Sequence, residues 1–396
     1  MPSFAERLIW FRALDYLRQY RPLVISVGGN TNTTVTKQLV ALALTPSMSV
    51  YAPPEPYSHP LGVALSILGQ SPTTRINWMS LLSRSFVREL REHEPNAIVL
   101  ELGANRPGEM DWMAQQLPTD VAILTGIGNV RTDLFGDLPT LAHEYSSLPV
   151  TLSSQSTAII NLDDPLTEAM VTRTTAHVVT VGSDPRSQFR LVRIHRLGSR
   201  GFSGEIATPK GRIEIHLPYI IARHQLVSVL AALAVAFTQG ITTKEAVNRI
   251  QKYRPPAGHH ALIPGIRQSL VIDDSYDASP ETMLSSLEAL RAIPGDRRIA
   301  VLGHIPGLGN ESQGVHRLLG EAAAKSSEIF ISVGDAMRPA QAVAMKKGID
   351  THHFATSSEA GKWLPGYVRS GDVVLISGSQ ELDLKRIASR LTIIDE

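Results

Sequence analysis

From residue 22 onward the chain alternates short, nearly unbroken apolar runs with longer stretches whose apolar positions recur at helical spacing. Such runs are buried on both faces, so they predict the strands of parallel sheets flanked by helices. "LVISVG" (23–28), "AIVLELG" (97–103), "VAILTGIG" (121–128), "AIINLD" (158–163) and "HVVTVG" (177–182) form a first series. "SLVIDD" (269–274), "RIAVLGH" (298–304), "IFISVG" (329–334) and "DVVLISG" (372–378) form a second. Between them, "RLVRIHR" and "GRIEIHLP" within 188–217 alternate apolar and polar positions around glycine turns, which predicts a small antiparallel patch. The helix in "HQLVSVLAALAVAFTQG" ends at Gly240, and Thr242 with Glu245 opens the next with a capping box. The proline- and glycine-bearing "YRPPAGHH" (253–260) reads as a linker. Two α/β domains joined near residue 255 are therefore expected, preceded by an N-terminal amphipathic helix over 1–21.

That first helix carries aromatic residues and arginines in "SFAERLIWFRALDYLRQYR" (3–21), with Ser3 and Glu6 placed as a capping box. Two readings stay open: a helix docked on the next domain, or a basic amphipathic helix on a membrane surface. No run reaches the ~20 apolar residues of a membrane span, and no signal pattern opens the chain. The 38 basic and 37 acidic side chains nearly cancel, which gives no electrostatic reason to expect nucleic acid. With no cysteine there are no disulfides, thiol nucleophiles or thiolate metal sites, and a cytoplasmic setting is expected. The histidine pairs in "GHH" (258–260) and "THHF" (351–354) lack metal-binding helical spacing and read as surface or loop histidines. No G-x-S-x-G elbow points to a serine hydrolase.

The chemistry-bearing stretch is "PLVISVGGNTNTTVTKQ" (22–38), a strand running through a glycine pair into a threonine-rich helix start. A phosphate cradle belongs there, built from converging backbone N–H groups, a lysine and a metal-binding hydroxyl. The lysine is missing from its place. Lys37 lies four residues after Thr33, about one helical turn onward, and is expected to be too far away to replace it.

Several phrases in order make the chain similar to the Mur ligase family, and within it to the branch that adds D-alanyl-D-alanine to peptidoglycan precursors. They are the loop at 28–37, "ELGANRPGEMD" (101–111), "TGIGNVRTDLFG" (125–136), "NLDDP" (161–165), "ARHQ" (222–225), "DDSYDASPETM" from Asp273, and "GDVVLISGS" (371–379). The resemblance implies an α/β fold with a central P-loop-type parallel-sheet domain (22–254) and a C-terminal Rossmann-like α/β domain (255–396). It also implies an N-terminal uridine-binding domain, in whose place only the first helix stands. ATP and Mg²⁺ are the implied cofactors: ATP phosphorylates a carboxylate, and an amine attacks the acyl phosphate.

Position by position, the resemblance implies a nucleotide loop of Gly29, Asn30, Thr31, Asn32, Thr33 and Thr34, with Thr33 at the lysine position and Asn32 at the second glycine. Asn32 tolerates the left-handed conformation a glycine would take. Thr34 and Glu101 are the implied metal ligands. Arg131 stands at a metal-binding histidine, a place from which its own charge would neutralise phosphate instead of a metal, and Tyr145 stands at a carbamylated lysine. Gln225, Asp273, Asp274 and Tyr276 fall where the family meets the nucleotide. His259, Ser377 and Gln380 replace basic residues that meet substrate, and His304 replaces an aspartate.

Removing one preorganised charge-stabilising donor costs roughly 10²–10³ in rate, and several are replaced together here. The expectation is a catalytically degenerate Mur-ligase-like protein that binds or scaffolds a cell-wall precursor or another protein of that pathway. The alternatives are an active ATP-dependent carboxylate–amine ligase with a rearranged site, and a non-catalytic small-ligand sensor.

Overall fold

A computed structural model describes residues 4–54, 57–70, 94–130, 132–276 and 278–393. Nine strands form the first sheet: β1 (Leu23–Gly28), β2 (Val50–Tyr51), β3 (Ala97–Leu102), β4 (Val121–Leu124), β5 (Thr157–Asn161), β6 (His177–Gly182), β7 (Phe189–Arg196), β8 (Phe202–Thr208) and β9 (Gly211–Leu217). Their order is β2-β3-β1-β4-β5-β6-β7-β8-β9. Pairing is parallel from β2 through β7, and the expected antiparallel patch, β7 to β9, extends the same sheet.

The continuous apolar runs are explained by two cores, one on each face. Ile98, Leu100 and Leu102 of β3 point into one and Val99 into the other; Val24 of β1 joins the first, Ile25 and Val27 the second. Helix α1 (Phe4–Tyr20) buries Ile9, Trp10, Ala13, Leu14 and Leu17 in the first core, with Trp10 4.6 Å from Trp112. The docked reading of this helix accounts for that face, while Phe4, 84% exposed, and Phe11 lie outside it. Ser3, half of its expected capping box, lies outside the described residues. The second core is covered by α2 (Thr33–Leu44) and by the helices Gln225–Thr238 and Thr243–Ile250. Thr242 and Glu245 make the expected capping box.

The second sheet has the order β10-β11-β15-β12-β13-β14, from β10 (Ala261–Pro264), β11 (Leu270–Asp274), β12 (Arg297–Gly303), β13 (Ile329–Val333), β14 (Asp350–Phe354) and β15 (Asp372–Ser377). Only β10 runs antiparallel, at one edge. The "THHF" histidines, expected at the surface or in a loop, lie on the edge strand β14, where His352 and His353 are partly buried and the His352 ring meets Trp363 at 4.6 Å. Aromatic cover, rather than apolar alternation, holds that strand, which hides it from a search for apolar runs. The two sheets meet where the segment after β4 reaches the loop after β12. Thr132 Oγ1 and the Asp133 N–H both donate to the Gly307 carbonyl, at 3.2 and 3.3 Å, and the Asn129 amide donates to Glu311.

Candidate functional site

In the first sheet β1 lies between β3 and β4, so chain order reverses on either side of it. Open α/β sheets bind ligands at the carboxyl ends of strands around such a point. Register fixes what gathers there. Val27 pairs with Glu101, and Gly28 pairs with both Leu102 and Leu124, so the loop leaving β1 emerges beside Glu101.

The loop is held tightly. Gly29 has φ +125°, and a Cβ there would lie 2.3 Å from Thr125 Oγ1 and 2.7 Å from the Gly126 carbonyl. Asn30 spends both ends of its amide on Gly128, donating to the carbonyl at 2.8 Å and accepting from the N–H at 2.7 Å. Thr125 donates to the Thr31 carbonyl at 2.7 Å. Asn32 takes the left-handed conformation, φ 59°, at the start of α2. Gly29→Ala should destabilise the protein by about 2–4 kcal/mol, since both backbone angle and contacts forbid a side chain. A urea titration showing less than about 0.5 kcal/mol would mean that the loop relaxes freely.

Inside this frame Glu101 meets a partner at each oxygen, Oε2 through hydrogen bonds and Oε1 through an ion pair without hydrogen-bond geometry. Thr33 and Thr34 each donate a hydroxyl to Oε2, at 3.0 and 3.1 Å, and Lys37 Nζ lies 2.8 Å from Oε1. The Lys37 and Glu101 side chains are 1% and 3% exposed. Lys37, expected to be too far along the helix to replace the loop lysine, is spent on Glu101 and lines neither the cleft nor the pocket beside the loop. In a helix the Cα–Cβ bond tilts toward the N-terminus, so a long side chain one turn in reaches back over the preceding turn. Thr33 and Lys37, four apart, share one face of α2.

The expected metal ligands Thr34 and Glu101 thus meet each other and an ammonium. Among the described residues no group of three or more His, Cys, Asp or Glu side chains is gathered to hold a metal ion. A divalent cation at Glu101 needs carboxylate oxygens and water in place of these partners. The residues as arranged do not fit it. Arg131 lies outside the described residues.

A cleft of about 590 Å³ opens between the sheets beside this cluster. Gly29, Thr33, Thr34, Glu101, Tyr145, Tyr276 and Gln380 line it, joined by His59, Asn105, Asp133 and Glu381, which sequence reasoning did not single out. Tyr145 is buried in the core of the first sheet. The remaining loop residues, Asn30, Thr31 and Asn32, face a narrow pocket with Gln225, His224, His259, His260 and Asp274. Its volume is about 40 Å³, room for a few waters.

Gln225 is fully buried; its Nε2 donates to the His259 carbonyl at 3.1 Å, while its Oε1 and His224 Nδ1 have no hydrogen-bond partner among the described residues. The His259 ring lies 4.7 Å from the Tyr276 ring, and burial lowers its pKa to about 4. Burial, and next the neighbouring His260, push His224 well below the ordinary histidine range. Asp273 accepts from the Gly258 and Ser275 N–H groups at 2.8 and 3.2 Å, yet burial raises its pKa.

Asp274 turns inward. Its Oδ2 accepts from Ser286 and Ser377 at 2.8 and 2.7 Å, and its Oδ1 lies 3.0 Å from His260 Nδ1. This also removes Ser377 from the substrate role expected of it, because its fully buried hydroxyl is spent on Asp274 and does not line the cleft. Gln380 does line it. His304 lies half-buried with Nδ1 unpartnered among the described residues, and burial lowers its pKa.

Residues 28–236 match the family model of the Mur ligase middle domain, and residues 261–380 that of the Mur ligase glutamate ligase domain. The UDP-N-acetylmuramoyl-tripeptide–D-alanyl-D-alanine ligase of Mycobacterium leprae is 27% identical over 399 residues, covering 93% of this chain and 73% of the relative. The Escherichia coli ligase of the same name is 24% identical over 394 residues, covering 98% and 80%. Among solved structures, MurF from Acinetobacter baumannii superposes with a TM-score of 0.81 at 21% identity, covering 97% of this chain and 80% of that one. MurF from Thermotoga maritima in complex with ADP gives 0.80 at 23%, covering 98% and 84%. The fold is that of these ligases. With the middle-domain model matched over more than half of its length and the second model over the sheet that follows, the chain belongs to the Mur ligase family.

Proposed function

We propose that this protein acts in peptidoglycan precursor synthesis as a binding member of the Mur ligase family that does not itself form the peptide bond. The observation that carries this reading is the state of Glu101, neutralised within the protein by Lys37 and two threonine hydroxyls. A ligating site must present unspent positive charge and N–H donors to a transferring phosphoryl group. Here the ammonium nearest the loop is bound to a carboxylate, and Thr33 takes the place where the family resemblance puts a lysine. The wide cleft beside Tyr145 and Gln380 remains, with room for a peptide-sized ligand, and there the protein would hold a precursor or a partner's segment.

A second reading, an active ATP-dependent carboxylate–amine ligase with a rearranged site, is favoured by one observation. Gln225 Oε1 and His224 Nδ1 are buried without partners in the pocket next to the loop, as polar atoms awaiting a ligand are. One assay separates the two. The protein is incubated with ATP, Mg²⁺, D-alanyl-D-alanine and the UDP-N-acetylmuramoyl tripeptide, and released phosphate is followed alongside calorimetric binding of the tripeptide. Tripeptide binding with no phosphate above the protein-free rate is expected. Phosphate release that requires both substrates establishes the second reading.

A further inference from the structure

We propose that Lys37 is the resident cation of this site, a covalently attached ammonium standing at Glu101 where a divalent ion would have to bind, so that the site keeps its charge balance without metal. The inference concerns the cation alone and holds whether or not the protein ligates.

Three features carry it. The first is commitment: Lys37 Nζ is 2.8 Å from Glu101 Oε1, and the other oxygen accepts from Thr33 and Thr34 at 3.0 and 3.1 Å. A hard dication would have to strip all three contacts, and Mg²⁺ is reluctant to exchange its own waters for them. The second is enclosure. Both side chains are almost wholly buried, so the ammonium has no aqueous position to retreat to, and a divalent ion entering beside it would meet a like charge at low dielectric. The third is the poverty of the surroundings. No second or third His, Cys, Asp or Glu among the described residues joins Glu101 in a metal-holding group.

The arrangement also has a covalent logic. Lys37 follows the loop by one turn, on the same helical face as Thr33. The loop thereby carries its own counter-charge for Glu101, held in register by α2, whether or not any ligand is present.

The test uses Mn²⁺ as probe, its free concentration followed by electron paramagnetic resonance during titration of the full chain. Five proteins are compared: wild type, Lys37→Met, Lys37→Gln, Glu101→Gln and the double variant Lys37→Met/Glu101→Gln. The wild type is expected to show no stoichiometric site. Removing the ammonium by either single substitution should create one site at least about tenfold tighter than any wild-type binding, since a bare buried carboxylate with two adjacent hydroxyls is a hard-cation seat. The double variant should lose it. Lys37→Gln keeps a hydrogen-bonding group and serves if the methionine variant does not fold. A wild-type site that Glu101→Gln removes overturns the proposal, as does a wild type and a folded single variant that bind Mn²⁺ equally poorly. Neither result depends on phosphate release, so this inference and the non-ligating reading fail separately.

Discussion

Lys37→Met is expected to lower the free energy of unfolding by about 3–5 kcal/mol at pH 7, as breaking a buried ion pair on one side does. The loss is set by what the variant leaves behind. Glu101 would keep two hydroxyl donors and lose the one cation paired with it among the described residues, while its side chain stays 3% exposed. Glu101→Gln should cost less, because an amide keeps a carbonyl oxygen for Thr33 and Thr34. The double variant Lys37→Met/Glu101→Gln should recover much of the single-lysine loss, since neither buried charge remains. Urea denaturation of the four proteins closes a double-mutant cycle. If Lys37→Met costs under about 1 kcal/mol, the pair behaves like an exposed one and the enclosure argued above is wrong.

That pair also marks the limit of what could be read without coordinates. The strands of both sheets were legible because burial on two faces writes them as unbroken apolar runs, and β1 and β6 fall where the runs predict. The sequence-derived boundaries elsewhere overshoot, as at "VAILTGIG", where pairing stops at Leu124 and the next residues turn to bind the loop. Strands β2 and β14 were not legible. The first has two residues, and the second carries histidines whose apolar partner is Trp363 on a neighbouring helix.

The site shows the same division. Its loop residues and Glu101 follow from local spacing and one strand register. Lys37 was weighed only as a replacement for the loop lysine, by rise along the helix axis, so its pairing with Glu101 through a side chain that points back was not read. The signal was present in the four-residue spacing from Thr33, read as a shared face instead of as a distance. Ser377 fails for a different reason. Its position in the chain aligns it with a substrate contact, but Asp274, far away in sequence, claims its hydroxyl, and no local pattern announces that.

The second large effect is on acid tolerance, which should fall between pH 6.5 and about 4. Burial is the leading cause of a depressed pKa at His224, His259, His304 and His316, with His259 brought to about 4. A histidine depressed in the folded state binds its proton more readily when unfolded, so each one withdraws stability as pH drops below its unfolded value near 6.5. From the shift at His259 alone the loss approaches about 3 kcal/mol by pH 4, at roughly 1.4 kcal/mol per unit.

His316 shows the structural side of this loss. Its Nε2 accepts from the Ile305 N–H at 3.2 Å, and protonating that nitrogen would set two donors against each other. Asp273 works in the opposite sense, because burial raises its carboxyl pKa and the folded state takes up its proton earlier, which relieves a cost as pH falls. Two carboxyls, Asp273 and Asp120, both raised by burial and acting just above their unfolded value of 3.8, do not offset four histidines acting from 6.5. The depressed exposed carboxylates Asp137 and Asp184 act lower still, below 3.8.

Urea midpoints at pH 7.5, 6 and 4.5 should therefore decline, with His259→Gln declining less steeply than wild type. Glutamine keeps the bulk against Tyr276 and has no proton to gain. Equal midpoints across the range would show that these rings reach solvent, and an unchanged slope in His259→Gln would remove that residue from the account.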